Sequence, residues 1–228
     1  MSDAAGPHPC VWVLASGPAV RFPREASWVP RPDFVIAADG GSSLALELGL
    51  EPDLVIGDLD SSDAEVLASL EARGTELRRY DHDLKLETDT ELALYAALER
   101  EPERIILLGA LGGRLDHALA NVLMLSNAVL ARTDLRIVDG LEEAYLGRAG
   151  NPIRVAGRPG ETVSILPLSG TVRNVRLAGF VYPLDGENLV RGTGHGVSNR
   201  LDGPVGEIVF DEGLLLVVHT HLPEPETG

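Results

Sequence analysis

Short apolar runs alternate with helical stretches through the first ~140 residues. Val11–Ala15, Phe34–Ala38, Leu54–Ile56 and Ile105–Leu108 are continuous apolar segments of strand length; Glu76–Tyr80 reads as a weaker strand and Leu135–Val138 as a further one. Unbroken runs of this kind mark strands buried on both faces. Between them Ser42–Leu48, Ala64–Arg73, Asp89–Arg100 and Leu115–Ala131 read as helices. Thr88 suits the N-cap of the third, with Glu91 three residues on, and Gly74 stops the second. The alternation predicts an α/β fold, a mostly parallel sheet with helices on both faces.

The rhythm changes near Gly140. Thr162–Leu166, Val172–Leu177, Ile208–Phe210 and Leu214–His219 are short strand-like runs, separated by Pro159-Gly160, Ser169-Gly170, Asp185-Gly186 and Asp202-Gly203. This pattern predicts an antiparallel β sandwich or small barrel. The boundary falls within Gly140–Asn151, dividing the chain into an α/β unit (1–142) and a β-rich unit (143–228). There is no internal repeat and no low-complexity segment.

Composition narrows the partners. A chain of 228 residues with 44% apolar content folds around a sizeable core. A net charge of -16 argues against nucleic acid and against an anionic membrane surface, both of which demand a basic face. The single cysteine, Cys10, cannot form an internal disulfide, which points to a reducing cytoplasm. No apolar stretch approaches the ~18–20 residues of a spanning helix, and the opening MSDAAGPHPC has no basic n-region. Arginine outnumbers lysine 18 to 1, and the one lysine is Lys85.

Candidate chemistry lies where strands run into turns and helices. Ile56–Ser61 reads IGDLDS. In extended backbone the two-residue spacing sends the Asp58 and Asp60 carboxylates to one side. At the carboxyl edge of a parallel sheet, a divalent cation relieves their mutual repulsion; an Asp-rich turn without a ligand has the same composition. Ala38–Gly41 reads ADGG, where Asp39 precedes Gly40 and Gly41. A glycine pair opening a helix offers backbone amides to phosphate, or simply makes a tight turn.

Lys85–Leu94 brings a cation, the Thr88 hydroxyl and the Asp89 carboxylate to a helix start. That set suits a metal-loaded polyphosphate, although the helix dipole alone also favours Asp89. In Gly109–Asn121, Gly112 and Gly113 turn the chain into a helix that opens with Arg114, Asp116 and His117. An Arg fork grips phosphate in two-point fashion; an internal Arg114–Asp116 ion pair is the alternative. His219-Thr220-His221 has the look of a metal pair, but with no third ligand nearby and a place at the tail it reads as solvated histidines. The Gly-rich stretch ending Val197-Ser198-Asn199 is a hairpin or a binding loop. A P-loop is excluded because no Gly-Lys pair occurs, and neither HRD nor DFG is present.

Taken in order, ADGG (38–41), GDLDS (57–61), TDTELAL (88–94) and GALGGRLDHALAN (109–121), followed by SILPLSG (164–170) and GVSN (196–199), resemble the thiamine pyrophosphokinase family. The resemblance implies transfer of a diphosphate from ATP to the hydroxyethyl oxygen of thiamine, leaving AMP, with Mg²⁺ as the metal and a homodimer as the assembly. It implies that the α/β domain holds nucleotide, and that the β domain contributes to thiamine binding and dimerisation. Carried over by position, Asp58, Asp60 and Asp89 are the catalytic and metal-binding residues, with Asp39 beside them. Gly40, Gly41, Lys85, Thr88, Gly112, Arg114, Asp116 and His117 fall on the nucleotide side, and Ser198 and Asn199 near thiamine. Two departures stand out. Leu86 occupies a position where many members carry Asp. Both tryptophans, Trp12 and Trp28, are N-terminal, which leaves Phe180, Tyr182 or His195 to stack on thiamine. The alternatives are a pyrophosphokinase for another alcohol, such as a hydroxymethyl-pterin, and a non-catalytic nucleotide sensor.

Overall fold

A computed structural model describes residues 10–17, 28–60, 62–81 and 83–223. The opening segment, Pro18 and Ser61 lie outside the described residues. The chain divides into two units, at Gly140/Leu141.

In the first unit the apolar runs become β1 (Cys10–Leu14), β2 (Phe34–Ala38), β3 (Leu54–Gly57), β4 (Glu76–Arg79), β5 (Arg104–Leu108) and β6 (Asp134–Asp139). They pair in the order β6-β5-β1-β2-β3-β4, every pair parallel. The chain steps outward from β1 to β4, then returns to the other side of β1 at β5. This puts the topological switch point between β1 and β5, where open α/β sheets have their ligand crevice.

The helices are α1 (Gly41–Glu47), α2 (Ala64–Ala72), α3 (Asp89–Leu98) and α4 (Leu115–Met124). Leu44 and Ala45 of α1 pack with Trp12, Leu14 and Val35, while Leu67 and Leu70 of α2 pack with Ala37 and Val55. The alternate residues Val13, Ile36 and Ile56 are equally buried, and α3 packs over β1, β2 and β3. Three alanines on α3, Ala93, Ala96 and Ala97, are buried, which lets its backbone come close to the strands. Thr88 caps α3 as expected, accepting from the Glu91 amide at 3.2 Å.

The helix expected over Leu115–Ala131 is shorter than its periodicity suggested. The Ser126 hydroxyl donates to the Leu123 carbonyl and the Asn127 side chain accepts from the Val129 amide. Such local bonds compete with the helical ladder. Helix α4 therefore ends at Met124, and a 3-10 turn follows at Leu130–Arg132.

Among the described residues the second unit contributes two antiparallel sets of four strands. One is ordered β12 (Asn199–Arg200), β9 (Thr162–Pro167), β14 (Leu214–Thr220), β7 (Glu142–Arg148); the other β11 (Leu184–Val190), β10 (Thr171–Ala178), β13 (Val205–Val209), β8 (Ile153–Ala156). Val163, Ile165, Leu215 and Val217 from the first sheet meet Val172, Val175, Leu189 and Ile208 from the second in one apolar core. This is the expected sandwich. One expectation fails: His219 and His221 are buried rather than solvated, with His219 fully enclosed. They continue the inward-facing row Leu215, Val217 along β14 at the period of two that strand geometry dictates.

Candidate active site

The carboxyl ends of β2 and β3 and the start of α3 each deliver one aspartate. Asp39 follows β2, Asp58 follows β3, and Asp89 is the first residue of α3. Carboxylate oxygens of the three lie within 4.8 Å of one another. Asp39 is buried; its amide donates to the Ile56 carbonyl at 2.9 Å and its carboxylate accepts from the Ser62 hydroxyl at 3.1 Å. Ser16, Glu87, Thr88, Thr90 and His117 join Lys85 and the aspartates around an open cavity of about 320 Å³.

Lys85 neutralises part of this charge. Its ammonium donates to Asp58 Oδ2 at 2.8 Å and also to Asp89 Oδ1. Burial works against a charged lysine, but the hydrogen bonds to Asp58 and Asp89 prevail and hold its pKa above the ordinary lysine value.

The spacing argument for Asp58 and Asp60 is corrected. β3 ends at Gly57, and Leu59 takes a left-handed conformation (φ 62) that drives its side chain into the core with Val55, Leu67 and Leu70. Strand alternation therefore stops before Asp60. Its side chain is exposed, and its amide donates to Asp58 Oδ1 at 3.3 Å. The third carboxylate of the group is Asp39 instead. Asp39 is itself left-handed (φ 45), so one member of the cluster and Leu59, next to another, both take this conformation. Such conformations cost roughly 1–3 kcal/mol each and concentrate at functional sites.

Gly57 was part of the motif, but its role was not legible. It has φ 145, and a Cβ there would lie 2.7 Å from Asp89 Oδ1 and 3.2 Å from the Asp39 Cβ. Only glycine lets the end of β3 approach both aspartates. Gly41 has a packing reason as well: a Cβ on it would sit 2.0 Å from the Leu14 carbonyl. The amides of Ser42 and Ser43 are used by the Asp39 and Gly40 carbonyls.

The fourth motif divides. Gly112 and Gly113 both have positive φ and make the turn after β5. Arg114 and Asp116 form the exposed ion pair named as the alternative, at 2.6 Å. The guanidinium bonded to it holds the Asp116 carboxyl at about 2. His117 lines the cavity; Arg114 and Asp116 do not. Asn121 was missed: its buried amide donates to the Ala110 carbonyl at 2.8 Å, tying α4 to the loop. Leu86, the departure beside Lys85, is almost fully exposed.

The second unit has its own pocket of about 240 Å³, lined by Tyr182, His195, Gly196, Val197 and Asn199 among others. Asn199 is buried and committed to the backbone, donating to the Tyr182 carbonyl at 2.7 Å and accepting from the Tyr182 amide at 3.1 Å. It holds the segment that presents Tyr182. Ser198 is left-handed and exposed, with its amide donating to the Ser164 hydroxyl at 3.0 Å. Of the three aromatic candidates, Phe180 belongs to the sandwich core, whereas Tyr182 and His195 line the pocket.

Known proteins resemble the chain in both units. The family model described as "Thiamin pyrophosphokinase, catalytic domain" matches residues 27–138. That described as "Thiamin pyrophosphokinase, vitamin B1 binding domain" matches residues 151–215. The thiamine pyrophosphokinase of Bacillus subtilis is 28% identical over 208 residues, covering 91% of this chain and 97% of that one. A crystal structure of the Bacillus subtilis enzyme superposes with a TM-score of 0.82 at 26% identity, covering 93% of this chain and 99% of that one. A thiamin pyrophosphokinase structure from Geobacillus thermodenitrificans gives 0.80 at 29% identity, covering 94% and 99%. With both of its domains matched in order over more than half of the residues, the chain belongs to the thiamin pyrophosphokinase family.

Proposed function

We propose that the enzyme transfers the β,γ-diphosphate of ATP to the hydroxyl of thiamine, giving thiamine diphosphate and AMP, with Mg²⁺ bound by Asp39, Asp58 and Asp89. The observation that carries this reading is the convergence of those three carboxylates, with Lys85 among them, at the carboxyl edge of the parallel sheet. Three hard oxygen donors with room for water and phosphate ligands fit Mg²⁺. When bound, the ion supplies charge neutralisation for the phosphate oxygens.

The protein's own groups do the rest. Lys85, free to leave Asp58 and Asp89 once their charge is met, turns its ammonium to the polyphosphate. Thr88 and Thr90 at the start of α3 and His117 beyond β5 line the same cavity and offer polar groups to the nucleotide. The thiamine oxygen forms a bond to the β-phosphorus as the bond to the AMP oxygen breaks, and the hydroxyl proton passes to an aspartate of the cluster or to a phosphate oxygen. Orientation and electrostatics suffice, and no covalent intermediate is needed.

Thiamine is a cation, and the net charge of -16 favours its approach. Tyr182 and His195 in the second unit's pocket suit an aromatic cation. The reading includes a homodimer, supported by α4, where Leu115, Leu119 and Leu123 are exposed at four-residue spacing. It also includes a cytoplasmic setting, supported by the free, buried Cys10. Among the described residues no helix is long and apolar enough to cross a membrane.

The test is incubation with ATP and Mg²⁺ plus either thiamine or a hydroxymethyl-pterin, following AMP release. Release with thiamine supports the reading. Release only with the pterin favours the other acceptor, and ATP binding without AMP in either mixture favours the sensor.

A further inference from the structure

The sandwich ends in a polar cluster that the proposed reaction does not use. Glu143 on β7 lies opposite His219 on β14 in the strand register, and His221 follows two residues on, facing the same way. Glu161 precedes β9, the strand on the other side of β14. All four side chains are buried.

Glu161 fixes the orientation of His219. One of its oxygens accepts from Arg158 and from the Leu222 amide, each at 3.1 Å. The other lies 2.9 Å from His219 Nε2. With Glu161 accepting a hydrogen bond from Nε2–H, the opposite nitrogen, Nδ1, turns its lone pair away from Glu161. That Nδ1 is buried and has no hydrogen-bond partner. It faces Glu143 Oε1 at 3.5 Å, and the same oxygen is 3.4 Å from His221 Nε2.

A lone pair facing a carboxylate is repulsive unless something positive lies between them. A separation of 3.5 Å exceeds the ~2.7–3.2 Å of a good N–H···O bond. It matches another arrangement. Donors about 2.0–2.1 Å from one tetrahedral ion stand about 3.3 Å apart. The backing of one imidazole nitrogen by a carboxylate, with the other nitrogen free to ligate, is the usual outer support of a metal-bound histidine. Gly157 makes room for it: a Cβ there would lie 2.3 Å from Glu161 Oε2 and 3.0 Å from His219 Cε1.

We infer that His219 Nδ1, His221 Nε2 and Glu143 form a site for a zinc-type divalent ion, with Glu161 as the group that orients His219. Two nitrogens and one oxygen select Zn²⁺ or Co²⁺ over Mg²⁺, unlike the all-oxygen group of the first unit. The bound ion ties β7 to β14 and seals the end of the sandwich core.

Co²⁺ titration tests this in an Asp58→Asn/Asp89→Asn background, which removes the carboxylate site. One equivalent should bind with the intense visible bands of four-coordinate Co²⁺, and Zn²⁺ should displace it. His221→Gln and Glu143→Gln in that background should each abolish the bands. If those variants fail to fold, the parent titration decides. No stoichiometric Co²⁺ uptake, octahedral-type weak bands, or bands unaffected by the substitutions would overturn the proposal, leaving a metal-free His–Glu plug.

Discussion

The ammonium of Lys85 stands 2.8 Å from the Asp58 carboxylate. The same ammonium bonds Asp89, so the chain's one lysine bridges two of the three clustered carboxylates. Both partners are largely enclosed, so the pair is screened less than a surface ion pair.

Removing that ammonium should expose what it balances. Lys85→Met removes the ammonium that Asp58 and Asp89 share and should lower stability by about 1–3 kcal/mol. Added Mg²⁺ should then raise the melting temperature of the variant more than that of the wild type. Thermal unfolding with and without MgCl₂ measures this; equal responses in the two proteins would count against a cation site at these aspartates.

The grouping of Asp39, not Asp60, with Asp58 and Asp89 has a kinetic consequence. Asp39→Asn, Asp58→Asn and Asp89→Asn should each reduce kcat by roughly 10²–10³-fold or more, the scale for losing a group that stabilises transition-state charge. Circular dichroism should remain unchanged. Asp60→Asn should cost less than about tenfold. Steady-state AMP release separates the cases, and an Asp60 variant as impaired as the other three would restore the simple strand-alternation picture.

Gly57→Ala isolates the close approach of backbone to carboxylate. The added methyl would overlap Asp89 Oδ1 at 2.7 Å in a backbone conformation that favours glycine. Activity should fall at least about tenfold, since displacing a catalytic group by about 1 Å has large effects. Stability should fall by roughly 1–3 kcal/mol. A variant with normal kcat would show that the Asp89 position tolerates movement.

Cys10 gives a pH signature independent of the site. Burial pushes its thiol up to about 11 from 9.0. Between those values the unfolded chain releases the proton while the folded chain retains it, so folding stability falls as pH rises. The slope is at most about 1.4 kcal/mol per pH unit. Urea unfolding of wild type and Cys10→Ala across that window should show a steeper decline for the wild type. Parallel curves would mean that the thiol titrates normally in the fold.

Strands buried on both faces announced themselves. β1, β2, β3 and β5 grew from unbroken apolar runs, and the ends of β2, β3 and β5 delivered three of the four candidate motifs. β7 was hidden because it opens with Glu142 and Glu143, the latter buried in a polar cluster that only the tertiary fold assembles. β11 was hidden by exposed polar residues and by Gly186, whose φ of 107 accompanies an irregular register with β10. The Asp39–Asp58–Asp89 group was half legible. Each residue lay in a singled-out motif, but which carboxylates meet depended on the left-handed turn at Leu59, which strand periodicity cannot reveal. The His219–His221 pair was visible in the sequence. Its glutamate partners came from distant strands, so the pair read as solvated.

The most direct measurement is ³¹P NMR of the wild-type enzyme with ATP, Mg²⁺ and thiamine. AMP and thiamine diphosphate should appear in equal amounts, each dependent on both Mg²⁺ and thiamine. ADP with thiamine monophosphate, or ATP breakdown indifferent to thiamine, would contradict diphosphate transfer at this aspartate site.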